Sequence, residues 1–199
     1  MQLYLNTSSP YARVVRVCLY EKELMERTEL CWCDPWAADS ELLKITPLSR
    51  IPTLVTEGGE VLTESLLIAH YLDAVGEAKL LPADGLAETL ALAGLGQGLM
   101  EAAFNVVIGR KHGGPDVDET LLGNRRLKAI ERTLVTLEAH PSVLAGHTQR
   151  TLGAIVVAVA LAYLSFRLPA FDWPNRFPRL QAWFAKVTEC DSFALTAFE

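Results

Sequence analysis

The 199-residue sequence carries no overall excess of positive charge; 18 Lys and Arg face 24 Asp and Glu, for a formal net charge of −6. Residues 1–77 hold six basic and twelve acidic side chains and the remainder twelve of each, so the acidity lies wholly in the first part. A chain without a basic patch has nothing to attract a phosphate backbone, which argues against nucleic-acid binding. Cysteine is scarce as well, and four in a chain this long point to reduced thiols in a cytoplasm rather than a disulfide framework. Cys31 and Cys33 flank Trp32 on one face of an expected strand, about 6.6 Å apart at ~3.3 Å per residue, too awkwardly placed for a bridge, and are expected to pack. The longest apolar stretch, Leu152 to Leu164, falls short of the roughly 18 residues a membrane span needs and reads as a buried helix. The opening MQLYLNTSSPYARVVR lacks a basic segment followed by a long apolar run, so no secretory signal is expected. His70, His112, His140 and His147 show no metal-ligand spacing, and no internal repeat or low-complexity segment occurs. What remains is an ordinary folding composition, 50% hydrophobic and 21% charged, long enough for one large domain or two small ones.

The first part reads as strand, helix, strand, helix, strand, strand, helix. Gln2–Leu5 is a short apolar strand, and Asn6-Thr7-Ser8-Ser9-Pro10 leads into a helix that Ser9 can cap, with Pro10 at its first position. That helix runs to about Glu23. Thr28–Cys33 alternates like a strand, Asp39–Ile45 looks helical, and Ile51–Val55 enters a further strand. Gly58-Gly59 makes a hairpin into Glu60–Leu62, and Thr63 or Glu64 opens a helix with Leu67, Ile68, Tyr71 and Leu72 at helical spacing. A strand–helix–strand start implies a parallel pair and the hairpin an antiparallel edge, so this βαβαββα order is a thioredoxin-like arrangement. The expected boundaries are residues 1–77 for this α/β domain, 78–85 for a linker with Pro82 and Gly85, and 86–199 for an all-helical domain. In the latter, Leu86–His112, Asp118–His140, Thr151–Arg167 and Arg176–Glu189 carry the helical patterns, and Thr151–Arg167 is apolar almost all round.

Three places carry chemistry. The first strand–helix junction presents helix N–H groups and partial positive charge to an anion. Redox relatives of this fold place cysteines there, as in the glutaredoxin pattern Cys-Pro-Tyr-Cys. Here the slot reads Ser9-Pro10-Tyr11-Ala12, so disulfide exchange has no nucleophile, while a hydroxyl remains that can donate a hydrogen bond to a bound thiolate. Pro52, entering the third strand, is expected to follow a cis bond that turns the Ile51 backbone toward a ligand. Glu64-Ser65, at a helix N-terminus, could clamp an amino-acid head group through its carboxylate, hydroxyl and N–H groups.

The order and spacing of Ser9-Pro10-Tyr11 with Arg13, of Arg50-Ile51-Pro52-Thr53-Leu54, and of Glu64-Ser65-Leu66-Leu67-Ile68-Ala69-His70-Tyr71-Leu72 resemble the soluble glutathione transferases. Tyr163-Leu164-Ser165-Phe166-Arg167 and Phe177-Pro178-Arg179-Leu180 extend the likeness over nearly the full length, and bacterial, serine-type members are the most similar. The resemblance implies that Ser9 donates to the glutathione sulfur and Ile51 pairs through its backbone with the cysteinyl part. It also implies that Glu64 and Ser65 hold the γ-glutamyl end, with Arg50 near the glycyl carboxylate. It implies a homodimer, glutathione as co-substrate, a hydrophobic electrophile as partner, and no metal or organic cofactor.

Several residues keep two readings. Tyr11, Met100, Phe104 and Val107 could line the electrophile pocket, or the last three could be the core stripe of a helix. Arg13 and Arg16 stand where the helix dipole disfavours cations; surface or inter-domain pairing is one account, a raised potential at the sulfur the other. Cys18 falls on an apolar helix face and is expected in the core. At Thr151-Leu152-Gly153-Ala154 the acid that usually completes a capping box is replaced by Ala154, which touches stability rather than the glutathione site. Function has competing readings too: a non-catalytic, partner-binding relative, whose mark would be a damaged glutathione site, or a glutathione-dependent isomerase.

Overall fold

Alternating burial makes the first strand: Leu3 and Leu5 are fully enclosed while Gln2 faces solvent in β1 (Gln2–Leu5). The computed structural model describes residues 1–37, 41–77, 79–114 and 116–199. β1 pairs in parallel with β2 (Glu29–Trp32) and antiparallel with β3 (Thr53–Val55), which pairs antiparallel with β4 (Val61–Thr63), so the sheet order is β2-β1-β3-β4. Between the strands run α1 (Pro10–Glu21), α2 (Glu41–Ile45) and α3 (Ser65–Val75). The expected helix Asp39–Ile45 begins in residues that lie outside the described ones, as does Ala78 of the expected linker. This is the thioredoxin-like α/β domain, and the helices that follow form the α-helical second one.

The chain divides into two units, one of Met1–Asp84 with Cys190–Glu199 and one of Gly85–Glu189. The sequence reading runs the helical domain on to residue 199, whereas the last ten residues lie with the first unit. The reason is polar: the Arg13 and Arg16 guanidiniums donate to the carbonyls of Phe193 (3.1 Å) and Leu195 (2.9 Å). The Ser192 hydroxyl likewise donates to Glu21 Oε1 at 2.6 Å. A buried ion pair ties the helix ends of the same unit together, with Lys22 Nζ 3.1 Å from Asp73 Oδ1.

The second unit holds α4 (Leu86–His112), α5 (Leu121–Glu138), α6 (Pro141–Leu144), α7 (Leu152–Arg167), α8 (Trp173–Arg176) and α9 (Pro178–Val187), and α10 (Asp191–Ala194) returns to the first. By length and composition alone α4 would suffice to cross a membrane; in this unit it packs along α7. Gly96 makes that packing close, because a Cβ there would stand 2.7 Å from Val157 N and 2.9 Å from Val156 C. α7 is buried almost all round, as its composition implies, and Thr151 Oγ1 accepts from the Ala154 N–H (3.3 Å), half of a capping box. The side chain of Trp173 donates to Leu161 O and Ser165 Oγ at 3.1 and 2.9 Å.

α9 starts without a capping side chain of its own, and Glu138 at the end of α5 serves instead. Its carboxylate accepts from the Arg179 and Leu180 N–H groups at 3.3 and 2.8 Å. Glu138→Ala is expected to cost about 1 kcal/mol, the size of a lost cap, read as a shift of the urea midpoint at unchanged slope.

Candidate active site

The strand register brings the three chemistry-bearing segments to one end of the sheet. β1 runs out at Leu5, four residues before Ser9. Tyr4 pairs with Thr53, so Ile51-Pro52, just before β3, adjoins the same strand end. Thr63 pairs with Thr53 in turn, and Glu64-Ser65 follows directly. β2 ends there too, because Leu5 pairs with Trp32 and the Cys33 N–H donates to Leu5 O. An open depression of about 510 Å³ lies here, lined by Asn6, Thr7, Trp32, Cys33 and Asp34. Ligands of α/β sheets gather at the carboxyl ends of parallel strands for the same topological reason.

Ser9 is the N-cap of α1, half-buried, with extended backbone (φ −77°, ψ 121°). Its Oγ accepts from the Ala12 N–H at 3.2 Å, and its own N–H donates to Asn6 Oδ1 at 2.8 Å. A hydroxyl has one hydrogen and two lone pairs, so capping the helix consumes acceptor capacity and leaves the O–H able to donate. Capping and donation are therefore compatible on one atom. Asn6, which holds the Ser9 backbone, escapes the sequence reading; its place in a polar loop before a cap was the available signal.

The Ile51–Pro52 bond is cis. Pro52 is buried, Thr53 Oγ1 donates back to Arg50 O at 2.7 Å, and among the described residues the Ile51 backbone makes no hydrogen bond. Glu64 caps α3 through its position rather than its side chain, and its backbone is left-handed at φ 66°. A non-glycine residue held at positive φ costs on the order of 1–3 kcal/mol, a cost that clusters where side chains must be aimed. Ser65 is buried beside it. Arg50 Nη1 lies 3.4 Å from Glu64 Oε1, both side chains being exposed. The sequence reading assigns these two to opposite ends of a tripeptide, and the structure brings them together as a solvent-exposed pair.

The remaining candidates fall in separate units. Tyr11 is half-buried on α1; on α4, Met100 is fully buried and Phe104 and Val107 are half-buried. Cysteine chemistry finds no activated thiol near the sheet end. Burial pushes the Cys31 and Cys33 thiols up, and Cys18, wholly enclosed as expected for a core residue, is pushed up to about 12. A thiol raised in this way is less often thiolate and a poorer nucleophile.

The protein thus joins a thioredoxin-like unit, with Ser9 at its first strand–helix junction, to a helical unit. Residues 8–75 match the family model for the glutathione S-transferase N-terminal domain, and residues 121–186 match that for the C-terminal domain. The GST-like protein YibF of Escherichia coli (strain K12), itself uncharacterized, is 32% identical with 98% of each chain covered. Glutathione S-transferase stcT of Emericella nidulans is 30% identical over 75% of this chain and 70% of its own. A glutathione transferase family member from Pseudomonas fluorescens Pf-5, solved with bound glutathione, superimposes with a TM-score of 0.91 at 32% identity, covering 100% of this chain and 98% of that one. The chain belongs to the glutathione S-transferase family.

Proposed function

We propose that this protein is a serine-type glutathione S-transferase that activates the glutathione thiol and conjugates it to a small hydrophobic electrophile. The observation that carries the reading is the meeting of Ser9, Ile51-Pro52 and Glu64-Ser65 at one sheet end, with the Ser9 hydroxyl hydrogen unspent by the cap. Glutathione binds along that end as an added strand, its cysteinyl backbone on Ile51 and its γ-glutamyl head on Glu64 and Ser65. The Arg50–Glu64 pair is worth little while exposed to water, so Arg50 is free to exchange toward the glycyl carboxylate. Free glutathione is mostly thiol at neutral pH, since an unperturbed thiol ionises near pH 8.5. Donation from Ser9 Oγ and the N-terminus of α1 favour the anion, and the proton leaves to solvent. The thiolate sulfur then forms a bond to the electrophilic carbon, and in a substitution the leaving group departs with its bonding pair. Tyr11 on α1 is the candidate apolar surface for the electrophile in the first unit, and Met100, Phe104 and Val107 on α4 are the candidates in the second. The protein works in the cytoplasm as a homodimer without metal or organic cofactor.

The test is ultraviolet difference absorbance of the thiolate band as glutathione is titrated into wild type and Ser9→Ala, with turnover of an aryl halide alongside. A hydrogen bond to a charged group contributes about 1.5–3 kcal/mol, so Ser9→Ala is expected to lower kcat/KM roughly 10- to 100-fold and to remove most of the thiolate signal at pH 7. Saturable glutathione binding with no thiolate signal in wild type would favour the isomerase reading instead. An absence of binding at millimolar glutathione would favour the partner-binding one.

A further inference from the structure

One turn after Ser9 stands a cation, Arg13, that has no counter-ion among the described residues. Arg13 is 7% exposed, and its backbone N–H donates to Ser9 O at 3.0 Å, so it belongs to the same first turn that presents the Ser9 hydroxyl. Among the described residues its guanidinium meets neutral groups. Nη2 donates to Phe193 O at 3.1 Å and Nε to Thr196 Oγ1 at 3.5 Å, while the rings of Phe198 and Phe193 lie 4.5 and 5.7 Å from its central carbon. The charged groups around it are few. On α1 the next is Arg16, a second cation, which donates to Leu195 O and stacks over Trp32. The anionic and phenolic groups that act on this cluster, Glu199 and Tyr20, act on Arg16, and the Glu21 carboxylate binds Ser192 farther along the helix. Burial, with Arg16 adding to it, lowers the Arg13 guanidinium to about 10, still far above neutral pH. The carbonyl and aromatic partners orient and hold the charge without cancelling it.

We propose that Arg13 is a positioning residue for the charge at Ser9: a buried, uncompensated cation, locked by the C-terminal segment, that favours the anionic form of a thiol bound to the Ser9 hydroxyl. A cation near a helix N-terminus opposes the dipole and weakens the helix. The same placement adds its potential to that of the dipole wherever an anion must sit just beyond the first turn. The C-terminal segment keeps water from the guanidinium, and a buried charge is screened far less than an exposed one. At an effective dielectric of about 20, a unit charge ~10–20 Å from a thiol moves its ionisation by roughly 0.6–1.2 pH units. This rests on the proposal that Ser9 binds the glutathione thiol.

The experiment is a pH titration of the thiolate absorbance of bound glutathione in wild type, Arg13→Gln and Arg13→Lys, with glutathione affinity measured at pH 5.5. Gln keeps an amide that can donate to Phe193 O but carries no charge; Lys keeps the charge and loses the fork. Arg13→Gln is expected to raise the midpoint by about 0.5–1 unit, with affinity at pH 5.5 changed less than about threefold, and Arg13→Lys to restore at least half of the shift. A midpoint in Arg13→Gln within about 0.2 unit of wild type, or an equal rise in Arg13→Lys, would overturn the proposal, the second outcome marking a purely structural clamp. If Arg13→Gln fails to fold, Phe198→Leu takes its place: opening the ring wall to water is expected to raise the midpoint by about 0.3 unit, and an unmoved midpoint overturns the proposal equally. A wild type that binds glutathione without any thiolate transition would instead remove the transferase reading itself, a pattern distinct from a normal wild-type titration that Arg13 variants leave in place.

Discussion

Gly96→Ala is expected to be among the most damaging single-methyl changes in this protein, lowering stability by about 3 kcal/mol despite improving the helix propensity of α4. The added Cβ would fall 2.7 Å from Val157 N, 2.9 Å from Val156 C and 3.0 Å from Val156 Cγ1. Two of these are backbone atoms, which cannot rotate away, so α4 and α7 must separate and loosen the interface that Leu92, Ala93, Met100, Val156 and Ala160 bury. Gly153 sits on the other side of the same approach, where a Cβ would stand 2.6 Å from Thr89 O, and Gly153→Ala should act in the same direction. The helix carries its own controls. Gly94 and Gly98 have nothing within 4 Å of an added Cβ, so alanine at either should gain up to about 1 kcal/mol from propensity alone. At roughly 2–4 °C per kcal/mol for a chain of this size, thermal unfolding should separate Gly96→Ala from Gly94→Ala by on the order of 10 °C. Equal midpoints for the two would show that the helices accommodate the methyl, and the close-approach argument would be lost.

That interface was hidden in the sequence for a physical reason. A glycine inside a helical pattern signals lower propensity, and only the partner helix, some sixty residues on, reveals that a close approach requires it. α4 itself was legible to the residue, from Leu86 to His112, because Gly85 in left-handed backbone (φ 80°) precedes it and Gly113 ends it. The short helices Pro141–Leu144 and Trp173–Arg176 were not, since four residues show no period. The candidate site divides along the same line. Ser9-Pro10, Ile51-Pro52 and Glu64-Ser65 are local patterns tied to helix caps and a strand entry and so were readable, and the strand register brings them to one sheet end. The pairing of Arg50 with Glu64, the grip of Asn6 on the Ser9 backbone and the burial of Arg13 by residues 193–198 depend on contacts that no local pattern encodes. Arg13 is the clearest case: its unfavourable place in the dipole was readable, but its partners lie about 180 positions away.

Asp73→Asn is expected to destabilise the first unit by about 3–5 kcal/mol, the cost of removing the carboxylate charge from a buried ion pair. Lys22 Nζ, its side chain fully enclosed, donates to Asp73 Oδ1 at 3.1 Å and to Asp73 O at 3.0 Å, joining the end of α1 to the end of α3. The same carboxylate oxygen accepts from the Leu80 N–H at 2.6 Å. Burial pushes this carboxyl up. The bond from Leu80 N–H and the bond and charge of Lys22 outweigh that and hold it below the ordinary aspartate value of 3.8. Because the folded value is the depressed one, the stabilisation is complete above the unfolded value, near pH 4, and is lost as pH falls through the folded value. Urea unfolding of wild type should therefore weaken as pH drops from about 5 toward 2, and Asp73→Asn should lack that component while being weaker throughout at pH 7. Replacing both partners by apolar residues, as in Lys22→Met with Asp73→Leu, removes both buried charges and should recover more than half of the loss. An Asp73→Asn protein within about 1 kcal/mol of wild type at pH 7, with an unchanged acid limb, would mean that Lys22 reaches solvent or another acceptor, and the pair would then not be what fastens α1 to α3.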